Sequence, residues 1–415
     1  MVRGMTHSDP FDIPLSELRQ RRSMKWSAVD ADVLPLWIAE MDVRLPEPVR
    51  SALHRAIDLG DTGYPGSLPG FAASFADFAH RTWGWDIDPG LCRGFPDLAA
   101  SGQALLRHFA GDDARAVITP PVYNNFFAWL RAAGITGVEV PVGPDGAQDL
   151  DGIEAAFADG VRVALISNPH NPLGRIWTDA ELERLADLAA RYDAFVIADE
   201  IHAPVVHPGR AFRPFLTISD DARRRGVALH SASKGFNIAG LKSSLLITAA
   251  DGPHLPDELD GFAAVGHLGA LASEVAFSPA CDDWFQTVRE GIAARTAHVA
   301  TRVTEEIPGA RADVPEASYL VWADLREPLA ADLAEGRRAG DVIRERGRVQ
   351  FADGEDYGRE GRGFVRINCG TSWEVLDEAI DRLVAACRGG RSADSARAGA
   401  ASPAGAAAAT VAARR

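Results

Sequence analysis

The sequence predicts an α/β protein, with a large unit built on a mostly parallel mixed sheet sandwiched by helices and a smaller α+β unit after it. Three observations predict this. Between Ser51 and about Trp284, short apolar runs alternate with longer amphipathic stretches, the pattern of βα units. From about Asp283 that alternation gives way to long helical stretches with isolated strand-like runs. At 415 residues, 47% hydrophobic and 24% charged, the chain is long enough for one large core and a smaller companion at ordinary globular composition.

The elements follow in order. Residues 1–10 read as a loose leader, and 11–50 as an N-terminal segment that packs with the small unit. The large unit spans 51–284. Its candidate strands are Arg115–Thr119, Gly137–Val142, Val161–Ser167, Ala194–Ala198, Val227–His230 and Ser244–Thr248. Helices separate several of them. Asp179–Tyr192 is one, opened by Thr178 as N-cap with Glu181 three residues on, the spacing of a capping box. The small unit spans 285–388, led by a long helix over Trp284–Glu306. Tyr319–Leu325, Asp341–Arg346 and Gly363–Asn368 follow, and the helix Trp373–Ala386 closes it. Residues 389–415 are rich in Ala, Gly, Ser and Arg without apolar periodicity and are expected to be disordered.

Charge and cysteine content narrow the function. A formal net charge of −15 disfavours a protein that tracks a nucleic-acid backbone, which needs basic patches to displace counterions. Cys92, Cys281, Cys369 and Cys387 lie far apart with no CxxC pair, so neither a disulfide framework nor a zinc cluster is expected. The opening MVRGMTHSDPFDIP holds no sustained apolar core and no uncharged apolar run reaches 18 residues. A cytoplasmic protein with no signal peptide and no membrane span is expected.

In a parallel α/β sheet, ligands bind beyond the carboxyl ends of the strands. Three polar clusters fall there: Asn168–Arg175 (NPHNPLGR), Asp199-Glu200-Ile201-His202, and Ser231-Ala232-Ser233-Lys234. A lysine at a strand end is ordinarily a solvated charge. Here two serines precede it and GFNIAGLKSS follows, so bulky charged neighbours are few. A Schiff-base lysine needs a depressed pKa, which burial beside a cation supplies, and Lys242 is a candidate cation. Lys242 with the Ser231 and Ser233 hydroxyls also suits a phosphate. Asp199 has a plain reading as a helix cap. Its functional reading is a buried carboxylate that keeps the ring nitrogen of pyridoxal phosphate (PLP) protonated. Asn171 is either a turn residue or a donor to the cofactor's phenolic oxygen. Tyr123, in TPPVYNNF, is either core or an aromatic stacked on the cofactor ring.

The order Tyr123, Asn171, Asp199, Lys234, Arg366 is similar to that of the aspartate-aminotransferase superfamily of fold-type I PLP enzymes. Within it the chain resembles the MalY/PatB-type carbon–sulfur lyases, often called cystathionine β-lyases. Six stretches carry the resemblance: KWSAVDADVLPLWIAEMD (Lys25–Asp42), TGYPG (Thr62–Gly66), SNPHNPLGRIW (Ser167–Trp177), ADEIHAPVV (Ala198–Val206), SASKGFNIAGLK (Ser231–Lys242) and GFVRIN (Gly363–Asn368). It covers roughly residues 11–388, and six stretches in one order are far more specific than any one of them.

The resemblance implies that Lys234 carries PLP as a Schiff base and that Asp199 pairs with the pyridine nitrogen. It places Asn171 and His202 on the phenolic oxygen, and Ser231, Ser233 and Lys242 on the phosphate. Tyr123 stacks on the ring, and Arg366 grips the substrate α-carboxylate, a bidentate task for arginine. Tyr64 resembles the tyrosine that reaches a neighbouring subunit's site, which implies a homodimer with shared sites. The implied reaction is β-elimination of L-cystathionine or related S-substituted L-cysteines to a thiol, pyruvate and ammonia.

Some positions depart from the family pattern. Phe95-Pro96-Asp97-Leu98-Ala99-Ala100-Ser101 replaces a Pro-Gly-Val-Val-like turn, and an aspartate at a phosphate-facing helix start is repulsive unless it points away. No phosphate contact is therefore assigned to that loop. Glu40, Gly235 and Asn124-Asn125 also differ from the commoner residues. The nearest rival reading is an aminotransferase on the same scaffold. Ser231-x-x-Lys234 also matches the S-x-x-K motif of serine β-lactamases, but the S-D-N and K-T-G partners are missing. His202 and His207 lack HExxH spacing, so no metal site is expected. A non-catalytic regulatory protein on this fold is the remaining alternative.

Overall fold

The computed structural model describes residues 9–66, 69–259 and 265–389. Thirteen strands are β1 (Leu34–Pro35), β2 (Cys92–Phe95), β3 (Arg115–Ile118), β4 (Thr136–Glu139), β5 (Val163–Ser167), β6 (Phe195–Asp199), β7 (Gly226–His230), β8 (Ser244–Ile247), β9 (Arg311–Ala312), β10 (Leu320–Asp324), β11 (Val349–Gln350), β12 (Ala352–Asp353) and β13 (Phe364–Asn368). Seven of them form one sheet in the order β2-β8-β7-β6-β5-β3-β4. β8 runs antiparallel to both neighbours, and the pairs from β7 to β4 are all parallel.

The alternation of side chains along the parallel strands explains the two helical layers. Ala164 and Ile166 of β5, Val196 and Ala198 of β6, and Ala228 of β7 pack into one core with the helices Pro69–Trp83, Leu150–Ala158 and Asp179–Arg191. Val163, Leu165, Ile197, Val227 and Leu229 point the other way, against Leu98–Phe109 and Asn125–Ala133. A sheet covered on both faces needs continuous apolar strands, and β5 and β7 are buried along their whole length. Each Leu, Ile or Val buried this way contributes roughly 1.5–3 kcal/mol. The capping box of the helix Asp179–Arg191 forms as the spacing predicted: Glu181 N–H donates to Thr178 Oγ1 at 3.2 Å, and Thr178 N–H to Glu181 Oε2 at 2.7 Å.

A second core sits around the antiparallel sheet β12-β13-β10-β9. Val321, Ala323, Val365 and Ile367 face it, together with Val299 and Val303 of the long helix Asp282–Glu306 and Leu376, Ile380 and Leu383 of the closing helix Trp373–Cys387. Ile13, Leu18, Trp26, Leu34 and Leu36, from the start of the chain, pack into this same core, and β1 pairs in parallel with β11.

The strand readings differ from the structure at β2 and β4. The edge strand β2 was not anticipated, because CRGF is short and lacks a two-residue alternation. β4 ends at Glu139 instead of Val142, yet Val140 and Val142 N–H still donate to Ile118 and Pro120 carbonyls at 2.9 Å. Asp341–Arg346 is part of a helix, Ala339–Gly347. The predicted disorder of the tail falls almost entirely outside the described residues, as do positions 1–8 of the leader.

Candidate functional site

The sheet reverses its strand order between β3 and β5: the connection after β3 adds β4 on one side, and the chain then crosses back to lay β5 on the other. Loops leaving carboxyl ends at such a switch diverge and leave a crevice. A cavity of about 630 Å³ lies there, lined by residues from five loops of this sheet, from residues 37–39 and from the face of the second sheet. Tyr123, Asn171, Asp199, His202, Ser231, Ser233, Lys234, Lys242 and Arg366 all line it. Tyr64 does not; it is 99% exposed on the segment after the helix Glu47–Asp58.

Local folding places each group. After β5 the chain turns tightly, with Gly174 N–H donating to His170 O at 2.6 Å and Trp177 Nε1 to Ser167 O at 3.1 Å. That turn presents Asn171, which is buried. β6 ends on Asp199, whose Oδ1 accepts Ile201 N–H at 3.1 Å. β7 ends at His230. Ser231 then caps a single helical turn, Ala232–Gly235, by accepting Ser233 N–H at 3.0 Å, and that turn aims Lys234 inward. Arg366 comes from the second sheet. Its neighbours Val365 and Ile367 face the second core, so the two-residue period turns Arg366 to the opposite face, into the cavity. An arginine in such a strand reads first as a surface charge, but here it is 5% exposed.

Lys234 Nζ donates to Ala39 O at 2.8 Å. Burial lowers its pKa to about 8, and the Arg366 charge adds to the effect against opposition from Asp199 and Glu40. The sequence reading had assigned that cationic help to Lys242. Lys242 Nζ instead pairs with Asp97 Oδ2 at 2.9 Å, and the neighbouring cation is Arg366. Burial raises Asp199 to about 7, partly offset by the Ile201 N–H and the Lys234 charge. His202 is held well below its ordinary value by burial and then by the Lys234 and Arg366 charges, so it is neutral at physiological pH. Arg366 donates through Nη1 to Asn171 Oδ1 and through Nη2 to Trp37 O, both at 3.0 Å, and its guanidinium lies 5.0 Å from the Tyr357 ring centre. Three of its five N–H groups stay free for an anion.

Ser231 Oγ donates to Ser233 Oγ at 2.8 Å, and both serines line the cavity together with the start of the helix Leu98–Phe109. Asp97 caps that helix, its Oδ1 accepting Ala100 N–H at 2.9 Å. The cap takes only the third amide, and no hydrogen bond from Leu98 or Ala99 N–H is recorded among the described residues. Two amides at that helix start thus stay open, with the Asp97 charge partly offset by Lys242.

Buried polar atoms ordinarily find partners. Four that line this cavity do not: His202 Nδ1, Gln350 Oε1, Tyr357 Oη and Arg366 Nε. Together with the open amides they mark seats for a polar ligand with an anionic end. Sequence reasoning missed Ala39, Tyr319, Tyr357 and these amides. Ala39 acts through its carbonyl, which also accepts Tyr319 Oη at 2.9 Å, and a carbonyl leaves no trace in residue type.

The profile of the family described as aminotransferase class I and II matches residues 32–383. A relative from Mycobacterium leprae named "Putative cystathionine beta-lyase" is 37% identical over 403 residues, covering 91% of this chain and 98% of that protein. The cystathionine β-lyase of Corynebacterium glutamicum is 29% identical over 381 residues, covering 89% and 98%. The crystal structure of cystalysin from Treponema denticola, which contains pyridoxal 5′-phosphate, superposes with a TM-score of 0.82, covering 93% of this chain and all of that one, at 23% identity.

Proposed function

The chain belongs to the aminotransferase class I and II family, and on that footing we propose that it is a PLP-dependent carbon–sulfur lyase acting on L-cystathionine or related S-substituted L-cysteines. The observation that carries this reading is the arrangement around Lys234: a buried amine of lowered pKa between a buried carboxylate and a buried arginine, at a strand-order switch.

The residues fit the cofactor from end to end. Ser231, Ser233, Lys242 and the Leu98 and Ala99 amides would hold the phosphate, and Asp199 would hold the ring nitrogen. Asn171 and His202 would contact the phenolic oxygen, and Tyr123 would stack on the ring. PLP bound there would supply a cationic ring that stabilises negative charge at the substrate Cα. Lys234 would attach it, and as a free amine would take the Cα proton. Burial and the Arg366 charge keep that amine partly neutral near pH 7, as a base requires. Arg366 binds the α-carboxylate through its free N–H groups while Asn171 and Trp37 O fix its plane. The β-carbon–sulfur bond then breaks, the thiolate takes a proton and leaves as thiol, and water hydrolyses the released aminoacrylate to pyruvate and ammonia. Tyr64 reaches the corresponding site of a second copy, making a homodimer with shared sites. The enzyme works in the cytoplasm; no described helix is long and apolar enough to cross a membrane.

The test is incubation of the holoenzyme with L-cystathionine or S-ethyl-L-cysteine and no added keto acid. Pyruvate and free thiol are expected in equal amounts. Product that forms only when a keto acid is supplied would make the protein an aminotransferase instead.

Asp97 gives a second expectation. Asp97→Asn keeps the helix cap, because asparagine caps as well as aspartate, and removes a negative charge beside the phosphate seat. It also frees Lys242. The dissociation constant of PLP, from titration of the apoprotein, is expected to fall about 3- to 10-fold at low salt. An unchanged or larger constant counts against placing the phosphate here.

A further inference from the structure

The cavity extends along the second sheet to polar groups that the mechanism above does not use: Arg338, Asp341, Arg344, Gln350, Asp353 and Asp356. They differ in how far their needs are met. Arg338 is already occupied, its Nη2 pairing with Asp353 Oδ1 at 3.0 Å and with Asp356 Oδ1 at 2.5 Å. Arg344 is not. Among the described residues its nearest carboxylate is Asp30 at 3.7 Å, beyond hydrogen-bond length, and no hydrogen bond from its guanidinium is recorded. Gln350 Oε1 is buried with no donor. Trp37, Phe351 and Met24 line the same space and supply apolar wall.

An arginine with free N–H groups, an unpaired amide oxygen and the Asp341 carboxylate form a mixed-charge set. A single carboxylate needs only the arginine, and an ammonium only the acceptors. A group carrying both satisfies all three at once. An arginine half exposed to water is ordinarily a solvated charge, and that reading accounts for Arg344 alone. It leaves Gln350 Oε1 unexplained.

We propose that Arg344, Gln350 and Asp341 form a far-end subsite for the second amino-acid head of a substrate whose β-sulfur joins two such heads, as in a thioether or disulfide of two α-amino acids. The far carboxylate lies on Arg344 and the far ammonium on Gln350 Oε1 and Asp341. The apolar wall covers the carbon–sulfur chain between. This rests on the site being a β-eliminating one, and it makes the chain selective against S-alkyl cysteines, which leave the far end empty.

The experiment compares L-cystathionine with S-ethyl-L-cysteine in the wild-type holoenzyme and in Arg344→Gln and Gln350→Leu. In the wild type, kcat/KM is expected to be at least about 10-fold higher for cystathionine. Arg344→Gln raises the KM for cystathionine about 10-fold with kcat little changed, the signature of binding energy lost equally from ground and transition states. The constants for S-ethyl-L-cysteine shift less than about 2-fold. Gln350→Leu shows the same split, smaller. Equal losses on both substrates, or a wild type that favours S-ethyl-L-cysteine, overturn the subsite. No pyruvate from either substrate overturns the lyase reading instead, so the two failures are distinguishable.

Discussion

Replacing Lys234 with alanine is expected to lower turnover by at least about 10³-fold and to remove the visible absorbance of the bound cofactor. Both losses are expected because, on the proposed reading, one side chain would attach the cofactor and move the Cα proton. The fold is expected to survive. Ala39 O loses the Lys234 donor but keeps Tyr319 Oη at 2.9 Å, and deleting the lysine removes a desolvated charge. An unchanged thermal transition in the apoprotein is the control. Full activity in the variant would end the assignment. The same lysine sets a pH limb. Its value of about 8 lies below that of an ordinary lysine, so the neutral, proton-accepting form grows as pH rises through 8. kcat is expected to climb over that interval where proton removal limits turnover. Arg366→Gln removes the cationic neighbour that helps to lower it, so the limb should move to higher pH.

The second large effect is at Asp199. Alone in the apoprotein, its carboxyl titrates near neutrality because burial opposes its charge. Opposite a protonated ring nitrogen it would be an ion paired in a dry site, where such an interaction is strongest. Asp199→Ala is expected to cost about 10²–10³-fold in kcat, the scale seen when one preorganised electrostatic partner is removed from a reacting centre. Asp199→Glu should recover part of that loss, since it restores the charge at the wrong reach. Steady-state kinetics at saturating PLP separate lost chemistry from lost cofactor. A change in kcat below about 3-fold would mean that the ring nitrogen is held by another group.

The large sheet was legible because a sheet covered on both faces writes itself as apolar runs, and Val163–Ser167 and Phe195–Asp199 fall within two residues of their predicted bounds. The sequence does not carry strand direction. Nothing in SSLLIT distinguishes β8, antiparallel to both neighbours, from the parallel strands of the same sheet, since direction is decided by the path of the connecting chain. The groups around the cavity were legible where chemistry resides in a side chain, as at Lys234, Asp199 and Arg366. They were illegible where it resides in the backbone: the carbonyls of Trp37 and Ala39 and the amides of Leu98 and Ala99 serve with any residue type. Asp97 shows the intermediate case. Its charge argued against an anion seat, whereas the geometry spends that charge on the third amide and on Lys242, which composition alone cannot foresee.

The segment Trp37–Asp42 is held from every side. Asn237, on the loop after Lys234, binds the Met41 backbone at 2.7 Å through both its donor and its acceptor. Asn368, at the end of β13, donates to Ile38 O and Glu40 O at 2.6 and 2.7 Å. Lys25, fully buried, donates to Asp42 Oδ2 at 2.7 Å and to Glu40 O at 3.0 Å. This short stretch works as a keystone. Any contiguous fragment that contains the lysine, the arginine and the carbonyls that orient both must run from before Trp37 to beyond Arg366, so neither half can be excised as a minimal enzyme. For anyone building fusions or split versions, the indivisible working unit begins upstream of Lys25 and ends only after Asn368.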